Sequence, residues 1–153
     1  MMILIKPYCA KNMLRKKLCV QDTNEEAKGK LIVNVFGKGY LEPLSNATVK
    51  VSRVTVSGYY SDTGEGTLLH QLFTDKDGKT PVVELPILNE LIPTNKDFYF
   101  ITVYHPGHYI AYVLYTEIYQ DITTSLDITL KPLDTDNEHF HFIVQPRRSQ
   151  IMK

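Results

Sequence analysis

The chain of 153 residues contains no tryptophan and two cysteines, and its charges cancel. Seventeen Lys and Arg residues stand against seventeen Asp and Glu residues, which argues against a dominant nucleic-acid-binding surface. Cys9 and Cys19 are too few for a disulfide framework, and no His or Cys lies at zinc-site spacing from them. We interpret both as reduced thiols in a peripheral segment.

Long apolar runs are also missing. None approaches the roughly 18 residues that a membrane-spanning helix requires. Residues 1–7 lack the basic stretch and the long apolar core of a secretory signal. We therefore expect no membrane span and no export by the general pathway.

What the chain does contain is alternation with a period of two. Residues 47–52 alternate between apolar and polar side chains, as a strand buried on one face requires. Seven such apolar or alternating runs, with no convincing helix between them, predict an all-β, seven-stranded antiparallel Greek-key β-sandwich. The runs are 30–36, 47–52, 68–73, 80–86, 98–104, 108–115 and 126–130.

The strongest local turn signal is Asp77-Gly78, which stands between the runs 68–73 and 80–86. An Asp-Gly pair between β-type runs favours a two-residue hairpin turn, so we predict that these runs pair with each other. A calcium loop beginning at Asp75 is the alternative. It would need a bidentate Glu at its twelfth position, where the chain has Pro86.

The two ends differ from the middle. Residues 1–28 form a predicted N-terminal extension, 29–132 the sandwich, and 133–153 a C-terminal extension. The alternation over 139–144 predicts an extra strand, either on a sheet edge or paired with another chain. Such pairing through residues 1–6 or 139–144 would produce a homo-oligomer.

Several of these elements together resemble a known domain family. Pro43 to Val49 reads Pro-x-x-Asn-Ala-x-Val, Thr74 to Gly78 reads Thr-Asp-x-x-Gly, and 106–109 reads Pro-Gly-His-Tyr. In this order over 29–132 they resemble the carboxypeptidase-regulatory-like, or prealbumin-like, β-sandwich. The resemblance implies the fold and fixes no ligand.

A narrower resemblance involves Thr80 to Pro86 together with the runs 99–103, 107–109 and 117–119. These are similar to the sandwich of bacterial spore-cortex-lytic enzyme precursors, where it accompanies a separate peptidoglycan-binding or hydrolase module. The resemblance implies a bacterial cell-wall or spore context without an activity. With the missing signal, it suggests a cytoplasmic or spore-associated location.

Histidine pairs are the candidate metal ligands. His105 and His108 flank Pro106-Gly107 at a predicted hairpin tip, and His139 and His141 share one face of the last run. The sequence does not show that the pairs meet, so we interpret them as solvated or hydrogen-bonded residues and predict no metal and no cofactor. Turn carboxylates could bind calcium only if their turns converge.

The function that these features favour is a non-catalytic binding or assembly module, acting through loop tips or by strand addition at an exposed sheet edge. Its partner would be a protein or a cell-wall glycan. The residues predicted to bind are Tyr59, Tyr60, His105, His108, Phe140 and Phe142.

Two rival functions stay open. In a carbohydrate- or peptidoglycan-binding module, six tyrosines could stack on sugar rings, although the lack of Trp weakens that hypothesis: Tyr59, Tyr60, Tyr104, Tyr112, Tyr115 and Tyr119. A small enzyme would need a pocket that gathers His and carboxylate side chains.

Overall fold

The fold is all-β, as predicted. The computed structural model describes residues 26–39, 41–57, 63–88, 96–134 and 141–144, and no helix occurs among them. The strands are β1 (Lys28–Gly37), β2 (Glu42–Pro43), β3 (Thr48–Ser57), β4 (Thr63–Phe73), β5 (Val83–Pro86), β6 (Lys96–Tyr104), β7 (Ala111–Thr116), β8 (Thr123–Leu130) and β9 (His141–Val144). Setting aside the two-residue β2 and the late β9, each of the others overlaps one of the seven predicted runs, although β4 and β8 begin earlier than predicted, at Thr63 and Thr123.

The strands form two sheets. In the four-stranded sheet β1 is central, with β8 along one side and β5 and β2 at opposite ends of the other. The five-stranded sheet has the order β4-β3-β6-β7-β9. Two pairs, β1–β8 and β7–β9, are parallel, whereas the prediction had all pairs antiparallel. Parallel neighbours are possible because neither pair is joined by a tight hairpin.

The core lies between the sheets and consists of the inward positions of the alternating runs. Burying one Val or Leu side chain is worth roughly 1.5–3 kcal/mol, so this layer stabilises the whole sandwich. The buried side chains of this layer include Leu31, Val33, Val35, Ala47, Val49, Val51, Leu85, Tyr99, Ile101, Val103, Ala111, Val113, Leu126, Ile128 and Leu130.

The hairpin predicted around Asp77-Gly78 is wrong. β4 pairs with β3 and β5 pairs with β1, so the segment between them crosses from one sheet to the other. The turn itself is present: Asp75 Oδ1 accepts hydrogen bonds from the backbone N–H of Asp77 (2.9 Å) and Lys79 (3.0 Å). Beyond Gly78 the chain bonds to β1 instead of β4, since the Val35 N–H donates to the Gly78 carbonyl at 2.7 Å.

Two buried threonines hydrogen-bond to neighbouring backbone at the two ends of this crossing segment. Thr74 Oγ1 accepts from the Ala47 N–H at 2.9 Å and donates to the Leu44 carbonyl at 2.6 Å. Thr80 Oγ1 accepts from the Val33 N–H at 3.0 Å. The Pro-x-x-Asn-Ala-x-Val and Thr-Asp-x-x-Gly elements of the sequence therefore meet in space and join the two sheets.

Candidate functional site

The outer face of the five-stranded sheet is rich in aromatic side chains, and we call it the aromatic face. On β6 the buried residues Tyr99, Ile101 and Val103 alternate with outward Phe98 and Phe100. On β7, Tyr112 points outward between buried neighbours, and it pairs directly with Phe142 of β9. β6 is therefore apolar on both faces along most of its length.

Three rings of the aromatic face form a row across three strands. Phe100 stacks on Tyr112 with ring centroids 5.9 Å apart and an angle of 14° between the planes. Tyr112 stacks in turn on Phe142, at 5.6 Å and 29°. Phe142 ends the row and is 57% exposed. Stacked in this way, the rings attach β9 to the sheet.

At the opposite edge of the sheet lies β4, a strand of 11 residues. No other described strand pairs with its far side, and such an edge is where a further strand can add to a sheet. Leu68 and Phe73 lie on the same outward face, opposite Ser52 and Thr48 of β3, and are 53% and 54% exposed. The strand contains no Pro and no Lys, the residues that commonly protect such edges.

His105 and His108 meet at the tip of the β6–β7 hairpin. The His108 N–H donates to the His105 carbonyl at 3.2 Å, and Gly107 has a φ of 77°. Proline at the second position and a positive φ at the third define a type II turn. The two Nδ1 atoms lie 3.1 Å apart. The predicted histidine tip thus exists as a contact between the two rings.

The other predicted binding residues have different outcomes. Tyr59, Tyr60 and Phe140 lie outside the described residues. Phe142 belongs to the aromatic face, where it packs on Tyr112. The extra strand is present over 141–144, and it pairs with β7 of the same chain.

A pocket of about 230 Å³ lies at the end of the sandwich where β6 and β7 diverge in register, and sequence reasoning missed it. Its apolar lining includes Ile87, Phe98 and Ile118, and no described histidine lines it. Tyr99 closes its floor, where the hydroxyl donates to the Pro86 carbonyl at 2.6 Å and burial raises the pKa of Tyr99 to about 12.

An ion pair beside this pocket was also missed. Arg53 donates to the Asp97 carboxylate through Nε at 3.2 Å and through Nη2. The hydrogen bond from Arg53 lowers the pKa of Asp97 against the opposing effect of burial. The sequence contains a signal for this ion pair, because Arg53 follows Val49 and Val51 at the inward-facing positions of β3. A charged side chain in such a position requires a partner.

The carboxylates of the described turns do not converge. Among residues 26–39, 41–57, 63–88, 96–134 and 141–144, no group of three or more His, Cys, Asp or Glu side chains could hold a metal ion. Asp75 instead uses its carboxylate to close its own turn. No helix in the described part of the chain is long and apolar enough to cross a bilayer.

Comparisons with known proteins give structural similarity only. No family model matches the sequence, and no curated protein matches it. The resemblance to carboxypeptidase-regulatory-like domains therefore stays a prediction. Several solved structures are similar in fold.

One is the Bacillus anthracis TIE protein, with 16% identity and a TM-score of 0.43; the match covers 70% of this chain and 17% of that one. A second is the dioxygenase domain of a dioxygenase carbohydrate-binding protein fusion from Streptomyces sp. SirexAA-E, with 16% identity and a TM-score of 0.48. The match covers 74% of this chain and 86% of that one. GBS52, the minor pilin of Streptococcus agalactiae, has 13% identity and a TM-score of 0.40, and the match covers 74% of this chain and 48% of that one. These values are too low to carry a function or a residue role to this chain.

Proposed function

We propose that this chain is a non-catalytic binding module that takes up an extended segment of a partner protein along β4. The observation that carries the proposal is that β4, an 11-residue strand at the edge of the five-stranded sheet, has a described neighbour on one side only. At about 3.4 Å per residue this edge is roughly 37 Å long, enough to pair with a segment of similar length. Strand addition at such an edge gains main-chain hydrogen bonds, which supply affinity for any extended chain.

Side chains beside the edge favour apolar residues at alternate positions of the partner. Leu68 and Phe73 face outward on β4, and Phe73 continues through Thr48 to Tyr104, which is 47% exposed. An added strand would place every second side chain next to these residues. Burial of that apolar surface gives the module a preference for partner segments that alternate between apolar and polar residues.

A register shift divides the edge into two parts. Val51 pairs with His70, whereas Ser52 pairs with Leu68, so Leu69 is an extra residue that forms a β-bulge. Bulges increase local twist and interrupt the pairing of a neighbouring strand. The partner segment is therefore expected to pair best either with 63–68 or with 70–73.

The test is a selection of displayed random peptides on the full-length chain, followed by titration of the enriched peptides. Phe73→Lys places a charge on the proposed surface and is expected to weaken binding more than about tenfold, because a lysine there would be desolvated by the partner. Ile122→Lys is the matched control, since Ile122 has the same exposed fraction of 54% and precedes β8. Equal binding by both variants would contradict the proposal, as would a selection without enrichment.

Glycan binding is the second candidate, and the aromatic row favours it. Phe100, Tyr112 and Phe142 place three aromatic rings in one row, and Phe142 at its end is 57% exposed. An exposed aromatic ring can stack on the apolar face of a sugar. Titration with peptidoglycan fragments tests this candidate. Saturable binding that Phe142→Ala abolishes would support it, and a flat titration would remove it.

A further inference from the structure

Three donor atoms converge at the histidine tip. His105 Nδ1 and His108 Nδ1 are 3.1 Å apart, and each lies 3.0 Å from the carbonyl oxygen of Pro106. The three atoms thus form a nearly equilateral triangle of two imidazole nitrogens and one oxygen. Both side chains are partly exposed, so an ion in solution can reach them.

The size of the triangle matches one face of a metal coordination shell. Two ligands held at about 2.1 Å from a metal ion and 3.1 Å from each other subtend an angle of roughly 95°. Tetrahedral ligands at the same bond length would stand about 3.4 Å apart. The spacing therefore favours octahedral or square-based ions over tetrahedral zinc, and imidazole nitrogen suits Cu²⁺ and Ni²⁺.

The tautomers of the two imidazoles decide what the triangle binds. With hydrogens on both Nδ1 atoms, the Pro106 carbonyl accepts from both, since its oxygen has two lone pairs. With the hydrogens on Nε2 instead, both Nδ1 lone pairs are available, and a cation accepts them together with a lone pair of the carbonyl oxygen.

The backbone holds the triangle in place before any ion binds. The type II turn sets the Pro106–Gly107 peptide through the φ of 77° at Gly107. The segment after β8 braces the turn from outside, because the Leu133 N–H donates to the Gly107 carbonyl and the Tyr109 N–H donates to the Lys131 carbonyl, both at 2.9 Å. The rings contact each other edge to face, with centroids 4.9 Å apart.

We propose that the histidine tip is a binding site for one divalent transition-metal ion, Cu²⁺ or Ni²⁺. Its ligands are His105 Nδ1, His108 Nδ1 and the Pro106 carbonyl oxygen, and water fills the remaining positions. The argument for this site does not depend on the proposed function of the β4 edge.

The test is calorimetric titration of the full-length chain with CuCl₂ and with NiCl₂ in a non-coordinating buffer at neutral pH. All proteins carry Cys9→Ser and Cys19→Ser, which removes the thiols as competing ligands. One ion per chain is expected. His105→Ala and His108→Ala should each weaken binding more than about tenfold, since even residues that only orient ligands cost tenfold or more.

Two controls separate the site from other histidines and from folding. His70→Ala, on β4, and the double variant His139→Ala/His141→Ala should bind as the parent does. Gly107→Ala keeps both histidines but favours a turn with negative φ at this position, which rotates the Pro106 carbonyl out of the triangle. It should weaken binding while circular dichroism shows an unchanged fold.

Electron spin-echo spectroscopy of the Cu²⁺-loaded parent gives an independent result that needs no variant. Two equatorial imidazoles are expected in the modulation pattern. The proposal is overturned if neither ion binds, if both single histidine variants bind normally, or if the spectrum shows fewer than two imidazoles.

Discussion

The outer faces of the two sheets differ in chemistry although both sheets cover the same core. On the four-stranded sheet, Asn34 of β1 donates through Nδ2 to Ser125 Oγ at 3.0 Å and to Asp127 Oδ1 at 2.6 Å on β8. These hydrogen bonds link β1 to β8 on the outer side of the sheet. On the five-stranded sheet the equivalent outward positions of β6 carry Phe98 and Phe100. The outward positions of β1 also include the half-buried Ile32 and Phe36, so the difference lies in the row of stacked rings that only the five-stranded sheet is described to have.

The edge strands of the two sheets differ in length. β8 and β4 each have a described neighbour on one side only, and β8 has 8 residues where β4 has 11. The proposed function therefore assigns recognition to the longer edge, β4, and leaves the four-stranded sheet a structural part.

The largest expected effect on stability comes from disrupting the segment between β4 and β5, which crosses from one sheet to the other. A Cβ at Gly78 would lie 2.5 Å from the Val35 carbonyl oxygen, and Gly78 has a φ of 73°. Gly78→Ala should lower the free energy of unfolding by about 3 kcal/mol, because backbone strain and a clash with β1 add together. Denaturant unfolding measures the change.

Gly39→Ala is the control for the strain alone. Gly39 has a similar φ of 70°, but nothing lies within 4 Å of its added Cβ. Its expected cost is about 1 kcal/mol. Equal costs for the two substitutions would mean that the crossing segment does not pack on β1.

A smaller effect is expected from loosening the aromatic face. Phe142→Leu keeps an apolar side chain but removes the stacking on Tyr112, which is worth about 0.5–1.5 kcal/mol. Amide hydrogen exchange over 141–144 should become roughly 2- to 12-fold faster, because β9 opens more often. Leu133→Ala, at the same exposed fraction of 57%, should leave the exchange of β9 unchanged. Unaltered exchange in Phe142→Leu would show that the row does not hold the strand.

The smallest effect concerns the charged pair on the inner side of the five-stranded sheet. Arg53 lowers the pKa of Asp97 in the folded state, so the pair stabilises the fold above the ordinary Asp pKa of about 3.9 and the gain is lost as pH falls through the lower folded value. The Arg53 side chain is 43% exposed, which limits the contribution to less than about 1 kcal/mol.

The measurement is the unfolding free energy of the parent and of Asp97→Asn between neutral pH and pH 2. The stability advantage of the parent should shrink below about pH 4. High salt at neutral pH should shrink it as well. An advantage that stays constant across the whole range would contradict this assignment of the pair.

The sequence predicted which side chains face the core better than it predicted which strands pair with each other. Alternation identifies the inward rows, and Val33 and Val49 are buried as that pattern predicts. The Asp77-Gly78 signal predicted a real turn with the wrong pairing, because a positive φ at one residue determines only the local direction of the chain. The strand that receives the chain afterwards depends on Val33 and Val35, more than 40 residues earlier.

The candidate site shows the same limit. The Pro106-Gly107 pair predicts a turn, but the meeting of two Nδ1 atoms depends on ring orientations that no spacing encodes. The free edge of β4 is likewise a property of strand order, since β4 and β5 enter different sheets. Phe142 was predicted to bind, but its stack on Tyr112 follows from the parallel pairing of β7 with β9.

The most direct test of the account compares the two sheets in one measurement. Amide exchange is recorded for the full-length chain alone and with a peptide selected on it. Strand addition predicts slower exchange at alternate amides of β4, those that point away from β3, with no change along β1 and β8. Protection confined to β1 and β8, or unchanged exchange along β4 under saturating peptide, would contradict the claim that the five-stranded sheet is the recognition surface.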